Sequence, residues 1–244
     1  MDGSSLRLAA QPLHLQLRKA LLQRIASGEW RHGDVIPNEN QLAREFNLSP
    51  GTVRKALDWM EQAHLVVRQQ GRGTFITDPA SPEFAARFDT LHGPDGRKLE
   101  TVAVSTAIET GIATAHEAKI LALDAGTGHD RVLRIRQTRR MADGPTIMIE
   151  EAVLPEHHYK GIAALEGGYD VVQASKLCNV LLGEGVERIS MAVPPEHVAV
   201  LFGLPESTMV LVLDRVISSV EDVPVEMRRA WCMLGQNSYQ ARLA

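Results

Sequence analysis

The chain has 244 residues, 44% of them hydrophobic and 23% charged, with a formal net charge of −4. That length suits one large domain or two modest ones, and the apolar fraction excludes wholesale disorder. No stretch reaches the roughly 18 uncharged apolar residues of a membrane helix, so no membrane association is expected.

The first residues, MDGSSLRLAAQPLH, lack a long apolar run and carry Asp2, so no secretory leader is expected. Cys178 and Cys232 lie far apart and form no CxxC pair. A reducing, cytoplasmic setting follows as the default. Net acidity argues at first against nucleic acid, but the charge is uneven. Residues 1–78 hold 10 Lys and Arg against 8 Asp and Glu, a net of +2, and the remainder holds 16 against 22, a net of −6.

Leu13, Leu17, Leu21, Leu22 and Ile25 recur at helical spacing, and Gly28 stops that helix. Pro37 breaks the turn that follows, and Asn38 caps a second helix through Gln41, Leu42, Ala43 and Phe46. Ser49 caps a third, with Pro50 at the first helical position, where a missing N–H costs nothing. Val53, Ala56, Leu57 and Met60 form its apolar stripe. Leu65–Arg68 and Thr74–Thr77 read as short strands joined by the glycine-rich turn Gln69–Gly73. Three helices and a hairpin make a winged helix-turn-helix over residues 1–77. Asp78-Pro-Ala-Ser-Pro82 punctuates the chain, and residues 78–87 are expected to form a linker.

Residues 88–244 alternate strands and helices. Strands are expected at Thr101–Ile108, Arg131–Met141, Thr146–Leu154, Val186–Val193, Met209–Ser218 and Val225–Met233. Helices are expected at Ala113–Leu121, across most of Ile162–Leu182, and at Pro195–Phe202. Adjacent hairpins with intervening helices predict an α+β fold whose sheet is mainly antiparallel.

Several segments of the N-terminal region follow one another in a telling order: Gln11-Pro-Leu-His-Leu-Gln-Leu-Arg18, Gly33-Asp-Val-Ile-Pro37, Glu39-Asn-Gln-Leu-Ala43, Ser49-Pro-Gly-Thr-Val-Arg-Lys-Ala-Leu57 and Gln70-Gly-Arg-Gly-Thr-Phe75. Together they resemble the DNA-binding domain of the GntR family of bacterial transcription regulators. The resemblance implies that the third helix enters the major groove of double-stranded DNA by its N-terminal end. Arg54 is then the candidate for a bidentate guanine contact, and Ser49, Gly51, Thr52 and Lys55 suit the backbone. Gln70, Gly71 and Arg72 at the wing tip are candidates for the minor groove. Two departures alter the expected readout. Pro50 stands where the family commonly has Arg, and Asn40 stands where several members have a base-contacting Arg. For Arg54 and Lys55 the alternative reading is a solvated helix face, and for Asn40 it is simple exposure to water.

The second region resembles the UTRA effector-sensing domain of the HutC-like subfamily, whose fold is similar to chorismate lyase. The carrying segments are Val132–Arg136, Arg140-Met-Ala-Asp-Gly144, Glu150–Pro155, Leu201–Leu204, Val212-Leu-Asp-Arg-Val216 and Asp222–Glu226. Two half-repeats, each a strand, a turn and a strand with an inward Glu, run through them. The resemblance implies a small-molecule effector pocket. Counted without gaps, the family's inward residues fall on Arg140, Glu150, Tyr169 and Glu226. A second family Arg falls on Thr138 and a tyrosine on Cys232, which weakens the case for a sugar phosphate. Arg140 with Glu150 also reads as a cross-strand ion pair.

The expected activity is that of a ligand-responsive transcription regulator, a repressor acting as a homodimer on a palindromic operator. A lyase-like enzyme using the C-terminal pocket and an architectural DNA-binding protein are the alternatives. The nine His residues show no metal-ligand spacing, Gly126-Thr-Gly128 lacks the Lys of a phosphate loop, and no GxSxG occurs. No metal, cofactor or catalytic group is therefore expected.

Overall fold

A computed structural model describes residues 11–241 except 79, 80, 89, 125, 127, 143, 163–167 and 206. The chain divides into two compact units, Met1–Ser81 and Pro82–Ala244.

In the first unit, α1 (Leu13–Ala26) buries Leu17, Leu21 and Leu22. A capping box starts α2 (Glu39–Glu45): the Asn38 side chain accepts the Gln41 N–H, and the Gln41 side chain accepts the Asn38 N–H. The Ser49 side chain accepts the Thr52 N–H at the start of α3 (Pro50–Gln62), and Pro50 occupies its first turn. Val53, Ala56, Leu57 and Met60 are all buried, as their spacing predicts. Strands β2 (Val66–Gln69) and β3 (Gly73–Ile76) form the wing. A two-residue strand, β1 (Val35–Ile36), completes the sheet in the order β1-β3-β2. Two residues carry no periodicity, so β1 becomes visible only through its pairing with β3.

The second unit begins inside the segment expected to be linker. Residues 82–85 form the short helix α4 (Pro82–Ala85), and Phe84 is buried with its ring 5.8 Å from that of Phe88. Arg87 Nη2 donates to Gly183 O at 3.0 Å. Buried Phe84, packed on half-buried Phe88, thus ties the end of this segment into the second unit.

The second unit is built on a six-stranded antiparallel sheet in the order β5-β6-β7-β10-β9-β8. Its strands are β5 (Thr101–Ile112), β6 (Arg131–Met141), β7 (Thr146–Pro155), β8 (Leu182–Ala192), β9 (Val210–Ser219) and β10 (Pro224–Cys232). Short helices α5 (Ala115–Ile120) and α7 (Glu196–Phe202) follow β5 and β8. The two halves therefore repeat one strand–helix–strand–strand pattern, and β7 meets β10 at the centre. The small pair β4 (Leu91–His92) and β11 (Ser238–Tyr239) forms a separate two-stranded ladder.

The two faces of the sheet differ because side chains alternate. Ile149, Val212 and Trp231 point to one face and pack with Val198 of α7. Met148, Leu213, Ala230 and Cys232 form a cluster on the other, joined by Leu91, Leu99 and Tyr239.

The long helix expected over Ile162–Leu182 is shorter. The described helix is α6 (Val171–Cys178), capped by Asp170 and ended by Asn179 in the left-handed region at φ 56°. Leu182 already belongs to β8. The Gly167 part of the expected glycine interruption lies outside the described residues. Gly168 adopts φ +94° and Asp170 is extended, so Tyr169 precedes the helix.

Candidate functional site

The exposed end of α3 carries the first candidate site. Ser49 Oγ lies 2.9 Å from Thr52 Oγ1 and also caps the helix, so both hydroxyls are held at its N-terminus. Gly51, Arg54 and Lys55 are exposed there. Arg54 Nε donates to Glu39 Oε2 at 3.0 Å and Arg54 Nη2 donates to the same oxygen at 2.7 Å. This bond and the Glu39 charge hold the Arg54 guanidinium above its ordinary pKa. The pair joins the first turn of α2 to the first turns of α3 and sets the neighbouring Asn40, also exposed, at that end.

At the wing tip, Arg72 N–H donates to Gln69 O at 3.0 Å and closes the turn. Gly71 takes φ +72°, which a residue with a Cβ rarely adopts. Gln70, Gly71 and Arg72 are exposed, and the Arg72 guanidinium sits 5.7 Å from the Phe75 ring centre. The sequence reading missed the counter-charges. Arg68 donates to Asp58 at 2.6 Å and Glu61 at 2.8 Å, and its Nη2 lies 4.0 Å from Glu39.

The second candidate site is a cavity of about 410 Å³ in the second unit, lined among others by Phe88, Arg139, Glu150, Tyr169, Arg215 and Arg228. Its floor is the sheet face that carries Met148 and Leu213. Glu150 is buried and accepts from Gln137 Nε2 at 2.8 Å, Arg139 Nε at 2.9 Å and Arg228 Nη1 at 3.2 Å. Burial alone would raise its pKa, but Arg228 and Arg139 outweigh that and hold the carboxyl below its ordinary value.

Glu226 is fully buried and accepts from Arg215 Nε at 2.9 Å, Arg215 Nη2 at 3.1 Å and the Tyr169 hydroxyl at 2.6 Å. Burial lowers the pKa of Arg215, yet Glu226 more than compensates and holds it above the ordinary value. Burial and the Glu226 charge push the Tyr169 hydroxyl well up, so it remains a neutral donor.

One expected residue moves. Arg140 does not face the cavity; it is exposed on the opposite side of β6. Gln137 pairs directly with Glu150, and Arg139 with Met148, so Gln137 and Arg139 share the inward face. The register then slips so that Arg140 pairs with Thr146, leaving Ile147 as an extra residue on β7. A count made back from the hairpin turn is therefore out by one. The same correction makes Gln137, not Thr138, the second inward position before the turn.

Gln137 is fastened to the segment before α6. Its Oε1 accepts the Tyr169 N–H at 2.6 Å, and its Nε2 donates to Tyr169 O at 2.9 Å. Arg139 Nη2 donates to the same carbonyl at 2.5 Å. A Cβ on Gly168 would come within 2.5 Å of Ala103 Cβ and closer still to Gln137 Oε1, so only glycine permits this approach.

Of the four expected residues, Glu150 and Tyr169 line the cavity, Glu226 lies buried behind Arg215 and Tyr169, and Arg140 is replaced there by Arg139, with Arg215 and Arg228 added. Arg215 carried a usable signal. It precedes Glu226 by 11 residues, as Arg139 precedes Glu150. Arg228 had none, since its partners Glu150 and Glu187 lie 78 and 41 residues away in sequence.

Among the described residues no group of three or more His, Cys, Asp or Glu could hold a metal ion, and no helix is long and apolar enough to cross a membrane.

Comparison with known proteins bears on both units. Residues 13–76 match the profile of bacterial regulatory proteins of the gntR family, and residues 96–234 match that of the UTRA domain. The chain is 25% identical over 223 residues to the HTH-type transcriptional regulator GgaR of Escherichia coli K12, covering 91% of this chain and 87% of that one. The histidine utilization repressor of Klebsiella aerogenes is 38% identical over 73 residues, 30% of each chain. The crystal structure of PhnF from Mycobacterium smegmatis superposes with a TM-score of 0.53 at 25% identity, covering 93% of this chain and 98% of PhnF.

Proposed function

Since the chain belongs to the gntR family of bacterial regulatory proteins and is a transcription regulator with a UTRA domain, we propose that it is a repressor whose grip on a palindromic operator is changed by a small molecule bound in the cavity. The observation that carries this reading is the pairing, in one chain, of a capped and exposed recognition helix with a cavity lined by Arg139, Glu150, Arg215 and Arg228.

At the operator, α3 enters the major groove by its N-terminus. Glu39 engages one edge of the Arg54 guanidinium. The remaining edge is the one offered to guanine O6 and N7. Ser49, Thr52 and Lys55 meet phosphates, and the exposed Asn40 suits adenine. Gln70, Gly71 and Arg72 approach the minor groove.

A homodimer supplies the two-fold match to a palindrome. Its support lies in the sheet edges. Among the described residues β5 and β8 each have one open side, with Val104, Val186 and Met191 exposed. Such apolar edges are protected by pairing with another copy.

The effector acts by binding one conformation of the dimer better than the other, and a tenfold change in operator affinity requires about 1.4 kcal/mol of such preference. A fluorescence anisotropy titration of a palindromic duplex, with and without a metabolite that raises the melting temperature, tests the reading. Release of DNA by that metabolite supports it. A metabolite that is consumed instead identifies a lyase-like enzyme, and DNA binding indifferent to sequence identifies an architectural protein.

A further inference from the structure

Each arginine of the cavity lining is paired with a carboxylate of the protein itself. Arg139 pairs with Glu150, Arg215 with Glu226 and Arg228 with Glu187, at 2.9, 2.9 and 3.0 Å. All six side chains are at most 17% exposed. The first two pairs repeat one design, since each Glu follows its Arg by 11 residues across a hairpin.

The third pair has no counterpart in the other half. Arg228 stands two residues beyond Glu226, and the matching position beyond Glu150 is Ala152. Glu187 lies opposite Arg215, and the residue opposite Arg139 is Ala103. Arg228 sits directly across from Arg215, a pairing of like charges that is unfavourable alone. The added cation arrives with its own anion, and Tyr239 Oη secures that anion with a hydrogen bond of 2.7 Å to Glu187. At the mouth, Lys98 and Glu100 are exposed and opposite in sign, and the Asp170 carboxylate caps α6.

From the balance of these three buried pairs we infer that the cavity takes a ligand of no net charge, either a neutral polyhydroxylated molecule or a zwitterion, and rejects phosphomonoesters and dicarboxylates. The inference rests on the effector-binding reading above and narrows it to a class. A dianion would bring two charges into a site whose arginines are already neutralised, and buried charge without a partner is strongly penalised. A polyol exchanges hydrogen bonds with Glu150 and Arg139 without disturbing the balance. A zwitterion presents an anion to Arg228 and a cation to Glu150, and its charges cancel.

The test uses the full chain and two variants. Wild type, Glu187→Gln and Arg228→Gln are each incubated with a soluble metabolite extract of bacterial cells. Retained compounds are identified by mass spectrometry after ultrafiltration. Glu187 does not line the cavity, so its neutralisation changes charge without removing a contact. The wild type should retain compounds of zero net charge at pH 7. Glu187→Gln should enrich monoanions and Arg228→Gln monocations, each at least about tenfold relative to wild type. Opposite shifts cannot come from misfolding, which would lose both classes together.

Retention of a phosphomonoester or dicarboxylate by the wild type overturns the inference, as does the same retained set for all three proteins. Retention of nothing by any of them, with operator binding intact, overturns the effector-binding reading itself.

Discussion

Arg139 Nε donates to Glu150 Oε1 at 2.9 Å across the β6–β7 hairpin, and Arg215 repeats the arrangement with Glu226 across β9–β10. The two hairpins are adjacent through β7 and β10, so both ion pairs stand on one face of one sheet. A sheet face with buried ion pairs is costly to maintain for stability alone. Here it forms the floor of a cavity, which Arg139, Glu150 and Arg215 line.

Removing one member of a buried pair leaves the other uncompensated. Arg215→Met should therefore destabilise the second unit by about 3–5 kcal/mol, because Glu226 has no exposure to solvent. Arg140→Ala, on the exposed side of β6, should stay within about 0.5 kcal/mol of wild type. Urea unfolding of both variants checks the contrast. An Arg140 effect as large as that of Arg215 would show that Arg140 faces inward after all.

Arg54→Ala should weaken operator binding by about 5- to 150-fold, from loss of one bidentate base contact worth about 1–3 kcal/mol. It should leave the thermal shift caused by a bound metabolite unchanged, since that cavity is lined by residues of the second unit. Anisotropy and differential scanning fluorimetry on one preparation separate the two effects. Operator affinity should also fall with added salt, as phosphate contacts release counterions.

Gly168→Ala places a Cβ against Gln137 and Ala103 at a backbone angle of φ +94°. Strain and overpacking together should cost about 1–3 kcal/mol. The clash would also break the two Tyr169–Gln137 hydrogen bonds and so disturb ligand binding more than stability. Isothermal titration with a metabolite that binds wild type measures this. Unchanged affinity would mean that residues 168–170 do not shape the cavity.

The pH dependence has a definite sign. Glu150 is held below its ordinary pKa of about 4.3 in the folded protein. It therefore binds a proton more readily when unfolded, and its stabilisation is present above that ordinary value. That contribution is lost as the pH falls towards the depressed folded value. Wild type should lose melting temperature below about pH 4.5, and Glu150→Gln should lose less over the same interval. Parallel curves for the two proteins would show that Glu150 is not the group responsible.

Much of the first unit was readable from the chain because its signals are local. Asn38 and Ser49 cap the helices they precede, and Val53, Ala56, Leu57 and Met60 lie one helical turn apart. Six strands of the second unit were also expected, four of them within one residue of their observed limits, while β5 ends four residues later and β8 begins four residues earlier than expected. The cavity was only partly readable. Glu150, Tyr169 and Glu226 were reached through the resemblance of the half-repeats, but a helix was expected where Tyr169 lies in an extended approach to α6.

The sequence by itself determined the winged helix, its caps and the exposed start of α3, and the alternation of strands and helices in the second unit, since each depends on residues within a few positions of one another. Only the tertiary structure decided that Arg139 and not Arg140 turns inward, because the face of a strand depends on register and the extra residue at Ile147 shifts it. It alone brought Arg228 to Glu187 and Tyr169 to Glu226, 41 and 57 residues apart. It also changed the meaning of the charge. The net of −4 describes the whole chain, whereas the cavity is governed by the matching of three arginines with three carboxylates, and such matching exists only where strands distant in sequence lie side by side.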